Sequence, residues 1–185
     1  MTPIKPFKAA SISGVKKLEP PDSHYLLAAE GWLGLGNQIE AFEELERISP
    51  QLRVHPDVLE LRWQIYAKEK KWEACVDIAR AIAKLAPSRP QGWIHLACSL
   101  HELKRTKEAK GVLSPVVDKF PEEPVVRYKL ACYECQLGNL EEARSLLEKA
   151  FESGDANEMK LMALDDPDLE PLWNKIGELC ARKKK

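Results

Sequence analysis

No stretch of about 18 consecutive apolar residues occurs in this sequence, so no membrane-spanning helix is expected. The opening stretch, MTPIKPFKAASISGVKKLEPP, lacks the continuous apolar core of a secretory signal. Aromatic residues make up only 7% of the chain, which argues against a β-sandwich. Its five cysteines are an odd number without framework spacing. They point to thiols in a reducing compartment, and hence to the cytoplasm. Catalytic patterns are missing too. There is no Walker motif and no HExxH, since His101-Glu102 is followed by Leu-Lys-Arg. No serine has an evident histidine and acid as companions. The run GLGNQI at 34–39 has helical texture on both sides and no preceding strand, so it does not read as a dinucleotide loop. The chain is expected to be non-enzymatic and to need no cofactor.

What is present suits a soluble helical protein. The content is 44% hydrophobic and 31% charged, and 185 residues suffice for one well-buried domain. The net charge of −1 conceals a polarity. Lys5, Lys8, Lys16 and Lys17 against Glu19 give the N-terminal stretch +3, and Arg182 to Lys185 add +4, leaving −8 for the span between them. Basic ends of this kind keep a protein solvated. No aromatic residue is interleaved with the lysines to stack on bases, so no nucleic-acid partner is expected.

The stretch from Pro90 to Pro121 predicts two amphipathic helices around a polar turn. Trp93, Leu96, Ala97 and Leu100 fall at i, i+3, i+4 and i+7; Ala109, Leu113 and Val116 set a second stripe beyond Lys104-Arg105. Neither helix can bury its stripe alone. Copies exist at a constant step along the chain: Ala109 maps onto Ala41, Cys75 and Ala143, Pro90 onto Pro56 and Pro124, and Ala97 onto Ala29 and Ala131. Small residues recur because two helices cross closely there, and large ones fill the space around the crossing.

A period of about 34 residues with this texture resembles the tetratricopeptide repeat (TPR) family. The resemblance rests on Trp93, Leu96, Ala97, Leu100, Ala109 and Pro121, and then on Leu130, Ala131, Gly138, Leu140, Ala143 and Ala150. It implies an all-α, right-handed α-solenoid of four helix-turn-helix repeats, at about 22–55, 56–89, 90–123 and 124–155. A helical cap follows at about 156–181. Residues 1–20 read as a flexible basic arm and 182–185 as a basic tail, flanking a TPR domain at 21–181. Asp22 and Ser23 suit helix N-caps.

Three positions disturb the pattern. Trp63 stands on the rung of Ala29, Ala97 and Ala131, so its helix is expected to rotate by one residue, turning Val58, Leu61 and Ile65 inward. Leu59, Trp63 and Tyr66 would then face a groove. Glu134 occupies the rung of Trp32, Tyr66 and Leu100 and is expected to be exposed, near the end of the array. Met159, Met162, Leu169, Leu172, Trp173, Ile176 and Leu179 are expected on the inner side of the cap, and Trp93 in the core.

The resemblance also implies an inner groove, lined by the first helix of each repeat, that receives a peptide or segment of a protein partner. Its expected lining includes Leu26, Glu30, Leu33, Ile94, His95, Cys98, His101, Tyr128, Lys129 and Cys132. Two alternatives accompany this scaffold reading. One is a metal- or redox-responsive module, because Cys98 and His101 recur one period later as Cys132 and Cys135, on corresponding helix faces, and together match a zinc ligand set. The other is a secretion-type chaperone, a role the family includes.

Overall fold

A proline at the first position of a helix has no N–H to leave unpaired and a φ already suited to the helix. Pro56 and Pro124 open helices in this way, and Pro90 stands just before a third, where its carbonyl accepts from the Trp93 and Ile94 amides at 3.1 and 3.0 Å. A computed structural model describes residues 16–179. Residues 1–15 and 180–185, which hold most of the expected arm, the end of the cap and the basic tail, lie outside the described residues. The helices are α1 (Asp22–Gly34), α2 (Gln38–Arg47), α3 (Pro56–Lys68), α4 (Trp72–Leu85), α5 (Gln91–Glu102), α6 (Thr106–Leu113), α7 (Pro124–Gln136), α8 (Leu140–Ser153), α9 (Ala156–Asp165) and α10 (Trp173–Leu179). Short 3-10 turns occupy Pro50–Leu52, Ser114–Val116 and Pro167–Leu172. No strand occurs among the described residues, and the all-α helical-repeat class is the one expected.

The period is written in the backbone as well. The left-handed residues that close α1, α3, α5 and α7 are Gly36 (φ 81°), Lys70 (57°), Lys104 (63°) and Gly138 (84°), each one repeat period from the next. After each one, the next amide donates to the carbonyl five positions back. These pairs are Asn37 to Trp32, Lys71 to Tyr66, Arg105 to Leu100 and Asn139 to Glu134, all at 2.9 Å. This is a Schellman closure; glycine adopts it without strain and lysine does not.

By contacts the chain divides into two compact units, described over residues 16–99 and 100–179, with the division inside α5. In the N-terminal unit, α1–α3 pack Ala29, Leu33, Ala41, Leu45, Ile48, Val58, Leu61 and Ile65 into one core that also takes in Leu18. Residues 16–20 of the expected arm carry no helix, yet Leu18 is buried and His55 Nε2 donates to the Lys16 carbonyl at 2.7 Å. Asp22 is not an N-cap. It lies inside α1, buried, and accepts from the Ser49 amide at 2.6 Å and hydroxyl at 3.1 Å, tying the start of α1 to the chain beyond α2.

Val58, Leu61 and Ile65 do turn inward, as a rotated α3 requires. Trp63 does not face a groove, however, and is only 4% exposed. Its ring stacks on His95 at 3.8 Å between centroids, and its Nε1 donates to Ser99 Oγ at 3.0 Å. The small Ser99 makes room for it. Leu59 is buried as well, and Tyr66 is half-buried against Phe42, so neither lines an open face. At Gly92 a Cβ would stand 2.5 Å from the Ala83 amide nitrogen, so α5 presses on α4 where only glycine fits.

In the C-terminal unit α7 and α8 pack as a hairpin, with Ala131, Ala143, Leu147 and Ala150 fully buried at its crossing. Pro115 falls where α6 turns into the 3-10 turn Ser114–Val116. Glu134 is 5% exposed rather than solvated. It sits 2.6 Å from Lys110 Nζ and accepts from Asn139 Nδ2 at 2.8 Å, so its charge is matched where it is buried. The cap buries Met159, Leu169, Leu172 and Ile176 as expected, whereas Met162 and Trp173 are exposed. Trp93 is half-buried, not a core residue.

Ala143→Leu is expected to destabilise by about 1–3 kcal/mol, since Ala143 is fully buried where two helices cross. Lys104→Gly is expected to stabilise by about 1 kcal/mol, because φ of 63° strains a side chain that glycine lacks. Urea titrations of both variants check the signs, which are opposite.

Candidate binding face and the segment on it

On α7, Tyr128, Cys132 and Gln136 fall at successive i, i+4 positions and share one face, with Lys129 beside them. Nothing in the repeat pattern covers this face. In the structure Tyr128 is 1% exposed and Cys132 is fully buried, so neither is an open groove residue. The cover is the chain's own segment between α9 and α10. Asp166 has extended backbone (φ −89°, ψ 110°) and precedes a proline, which ends α9 and starts the 3-10 turn across the α7 face.

Two carboxylates fasten this segment. Asp166 Oδ1 accepts from the Asp168 amide at 3.1 Å. Its Oδ2 accepts from Tyr128 OH at 3.1 Å and Cys132 Sγ at 3.6 Å, and lies 3.7 Å from Lys129 Nζ. Asp168 Oδ2 accepts from His101 Nε2 at 3.0 Å, while Thr106 Oγ1 lies 3.0 Å from the other ring nitrogen and the ring tilts against Tyr133 at 5.0 Å. Gln136 Nε2 donates to the Asp168 carbonyl at 3.0 Å. Leu169 and Leu172 are buried beneath. Burial pushes the Asp168 carboxyl up, but the hydrogen bond from His101 and the charges of His101, Lys129 and Lys104 outweigh it, holding the group below its ordinary value. Burial, then the neighbouring Cys132 and Asp166, holds the Tyr128 phenol far above its usual range.

The other expected site residues belong to the N-terminal unit. In the N-terminal unit Leu33 is buried in the core, Leu26 packs partly against it, and Glu30 is exposed. Partial desolvation, then Asp57 and Glu60, raises the Glu30 carboxyl. Asp57 is paired with Arg89, and His95 Nε2 lies 3.7 Å from Glu60. Ile94, His95 and Cys98 are half-buried. The cysteine–histidine set does not assemble. Among the described residues no group of three or more histidine, cysteine, aspartate or glutamate side chains could hold a metal ion. His101 is engaged with Asp168, and Cys132 with Asp166. Burial raises Cys132 and Cys135, each further raised by Asp166 and Asp168, and pushes Cys75 up to about 11, so these thiols stay protonated. The repeat pattern gives no sign of Asp166, Asp168, Thr106 or Gln136 as site residues. The available signal is Asp-Pro-Asp-Leu between two helical stretches, which reads first as a helix start.

Because the folded Asp168 pKa is depressed, its stabilising effect is full above the unfolded value and is lost as pH falls through the folded one. Hydrogen exchange across residues 164–172 is therefore expected to accelerate below about pH 4 ahead of exchange in α8. In native protein, alkylation mapped by mass spectrometry is expected to reach half-buried Cys98 before Cys75, Cys132 or Cys135.

No protein-family model matches this chain, and no curated protein does either. Solved structures do. MamA (41 to end) from Desulfovibrio magneticus RS-1 superposes with a TM-score of 0.64 at 19% identity, covering 91% of this chain and 100% of that one. The MamA RS-1 ArsTM double mutant gives 0.64 at 18%, covering 91% and 99%. The chain thus shares a TPR-like helical-repeat fold with these proteins, and at such identity the likeness speaks for the fold alone.

Proposed function

We propose that this chain is a non-enzymatic protein-interaction scaffold of the cytoplasm, which receives a segment of a partner protein on the first helices of its hairpins. The observation that carries this reading is the α7 face. It holds a short stretch of chain, Asp166 and the 3-10 turn after it, by two carboxylates, one backbone carbonyl and a buried leucine, which are the means by which a peptide is held. In the N-terminal unit the corresponding first-helix positions Leu26, Glu30, Ile94 and Cys98 keep solvent exposure, with Glu60 and His95 beside them. A partner segment with an apolar anchor and a cationic flank suits that surface, since partial burial, then Asp57 and Glu60, raise the cost of ionising Glu30. No helix among the described residues is long and apolar enough to cross a membrane.

Crosslinking pull-downs with wild type and Ile94→Asp test the reading. Partners captured by wild type are expected to be lost from Ile94→Asp at unchanged melting temperature. An identical partner set from both proteins removes Ile94 from the binding face. Total absence of specific partners removes the scaffold role.

A further inference from the structure

The Asp166–Leu169 segment is attached by contacts that read a sequence. The first carboxylate meets a phenol, a thiol and an ammonium group. The second meets an imidazole that Thr106 orients from its far side. One backbone carbonyl is read by Gln136, and the residue after the second aspartate is fully buried. A core plug needs none of this. Apolar side chains alone seal a helix face, whereas charged groups placed there carry a desolvation cost that only well-matched partners offset. Two further facts bear on the segment. Pro167 bars α9 from continuing through it, and Asp166, Asp168 and Gln136 all retain solvent contact at its rim. It is the part of the C-terminal unit built most like a bound peptide.

We infer that the face formed by His101, Tyr128, Lys129, Cys132 and Gln136 is a receptor for an acidic protein segment of the form Asp-x-Asp-Leu, and that residues 166–169 occupy it in cis as a built-in competitor. The inference rests on the scaffold reading and adds the partner's chemistry. A tethered segment acts at an effective concentration in the millimolar range, so a partner segment enters only when it binds better than the resident one or when the resident is loosened. Binding at this face is gated, while the first-helix positions of the N-terminal unit are not.

The test uses the full chain and a fluorescein-labelled synthetic peptide of residues 164–172, LDDPDLEPL, read by anisotropy. Asp166→Asn/Asp168→Asn weakens the resident segment and leaves the receptor side chains intact. The peptide is expected to bind this variant roughly tenfold or more tightly than wild type, since each charge-assisted bond lost by the competitor corresponds to about a factor of ten. Adding Lys129→Ala and His101→Ala should abolish the gain, and the peptide LDNPNLEPL should bind at least roughly tenfold more weakly. A double variant that unfolds cooperatively yet binds the peptide no better than wild type overturns the inference. Equal binding of the asparagine peptide overturns it too. Should the double variant not fold, Asp168→Asn alone serves, because that side chain lies at the rim; a smaller gain is expected, and no gain overturns the proposal. Failure here with loss of partners from Ile94→Asp refutes the gated receptor and leaves the scaffold reading in place. Peptide binding without any effect of Ile94→Asp supports the gated receptor and removes only Ile94 from the binding face.

Discussion

Each helical hairpin depends on one steric constraint, the absence of room where its two helices cross. Ala29, Ala41, Cys75, Ala79, Ala97, Ala109, Ala131 and Ala143 have no exposed surface at all. Helix backbones this close leave no space for a longer side chain, and the larger neighbours Leu45, Leu113 and Leu147 fill the flanks. The same economy fixes the turns. Four left-handed residues at the repeat period reverse the chain in a short turn, so the crossing residues of each hairpin meet at the same depth. Where lysine replaces glycine at those turns, the closure still forms, which indicates that packing at the crossing outweighs the local strain.

That constraint governs only the sides of the helices that cross. The remaining side of each first helix has no partner in the repeat plan, and the two units treat it differently. On α3 the oversized Trp63 is absorbed by α5, with an imidazole stacked on its ring and the Ser99 hydroxyl receiving its N–H. On α7 the remaining side is filled by a stretch of chain that belongs to no repeat. Tyr128 and Cys132 are buried as a result, polar groups though they are.

The legible part of this architecture is the part enforced by period. Helix pairs, opening prolines and crossing residues repeat, so each is readable from several copies. Single-copy events are not. Glu134 reads as solvated because a carboxylate on an apolar rung usually is; its burial depends on Lys110, from a different helix, reaching the same point in space. Tyr128, Cys132 and His101 fall on the faces the period assigns them, but the repeat plan leaves those faces open because it contains no covering segment. The thiols illustrate the same limit. Spacing places Cys132 and Cys135 on one helix, yet whether such thiols ligate a metal depends on ionisation, and burial beside two aspartates opposes it. Trp63 shows the opposite case: the misfit is visible in the sequence, and only its resolution by Ser99 is not.

The choice of carboxylates as fasteners has a consequence for how firmly α7 is closed. Leucine side chains buried at Leu169 and Leu172 supply affinity without regard to what lies beside them. Carboxylates supply little net affinity, because the loss of hydration nearly cancels the attraction of Lys129 and His101. What they add is discrimination: a segment lacking acids at those two positions takes from His101 and Tyr128 the acceptors they hold here, at a cost larger than the attraction they gain from the right one. The segment is a short 3-10 turn that Pro167 begins and Pro171 interrupts, separate in the chain from α7 and α8. A face sealed by apolar side chains alone would admit no newcomer on the strength of its charge. One sealed by a short acidic stretch over a leucine anchor is closed to all but its chemical equivalents.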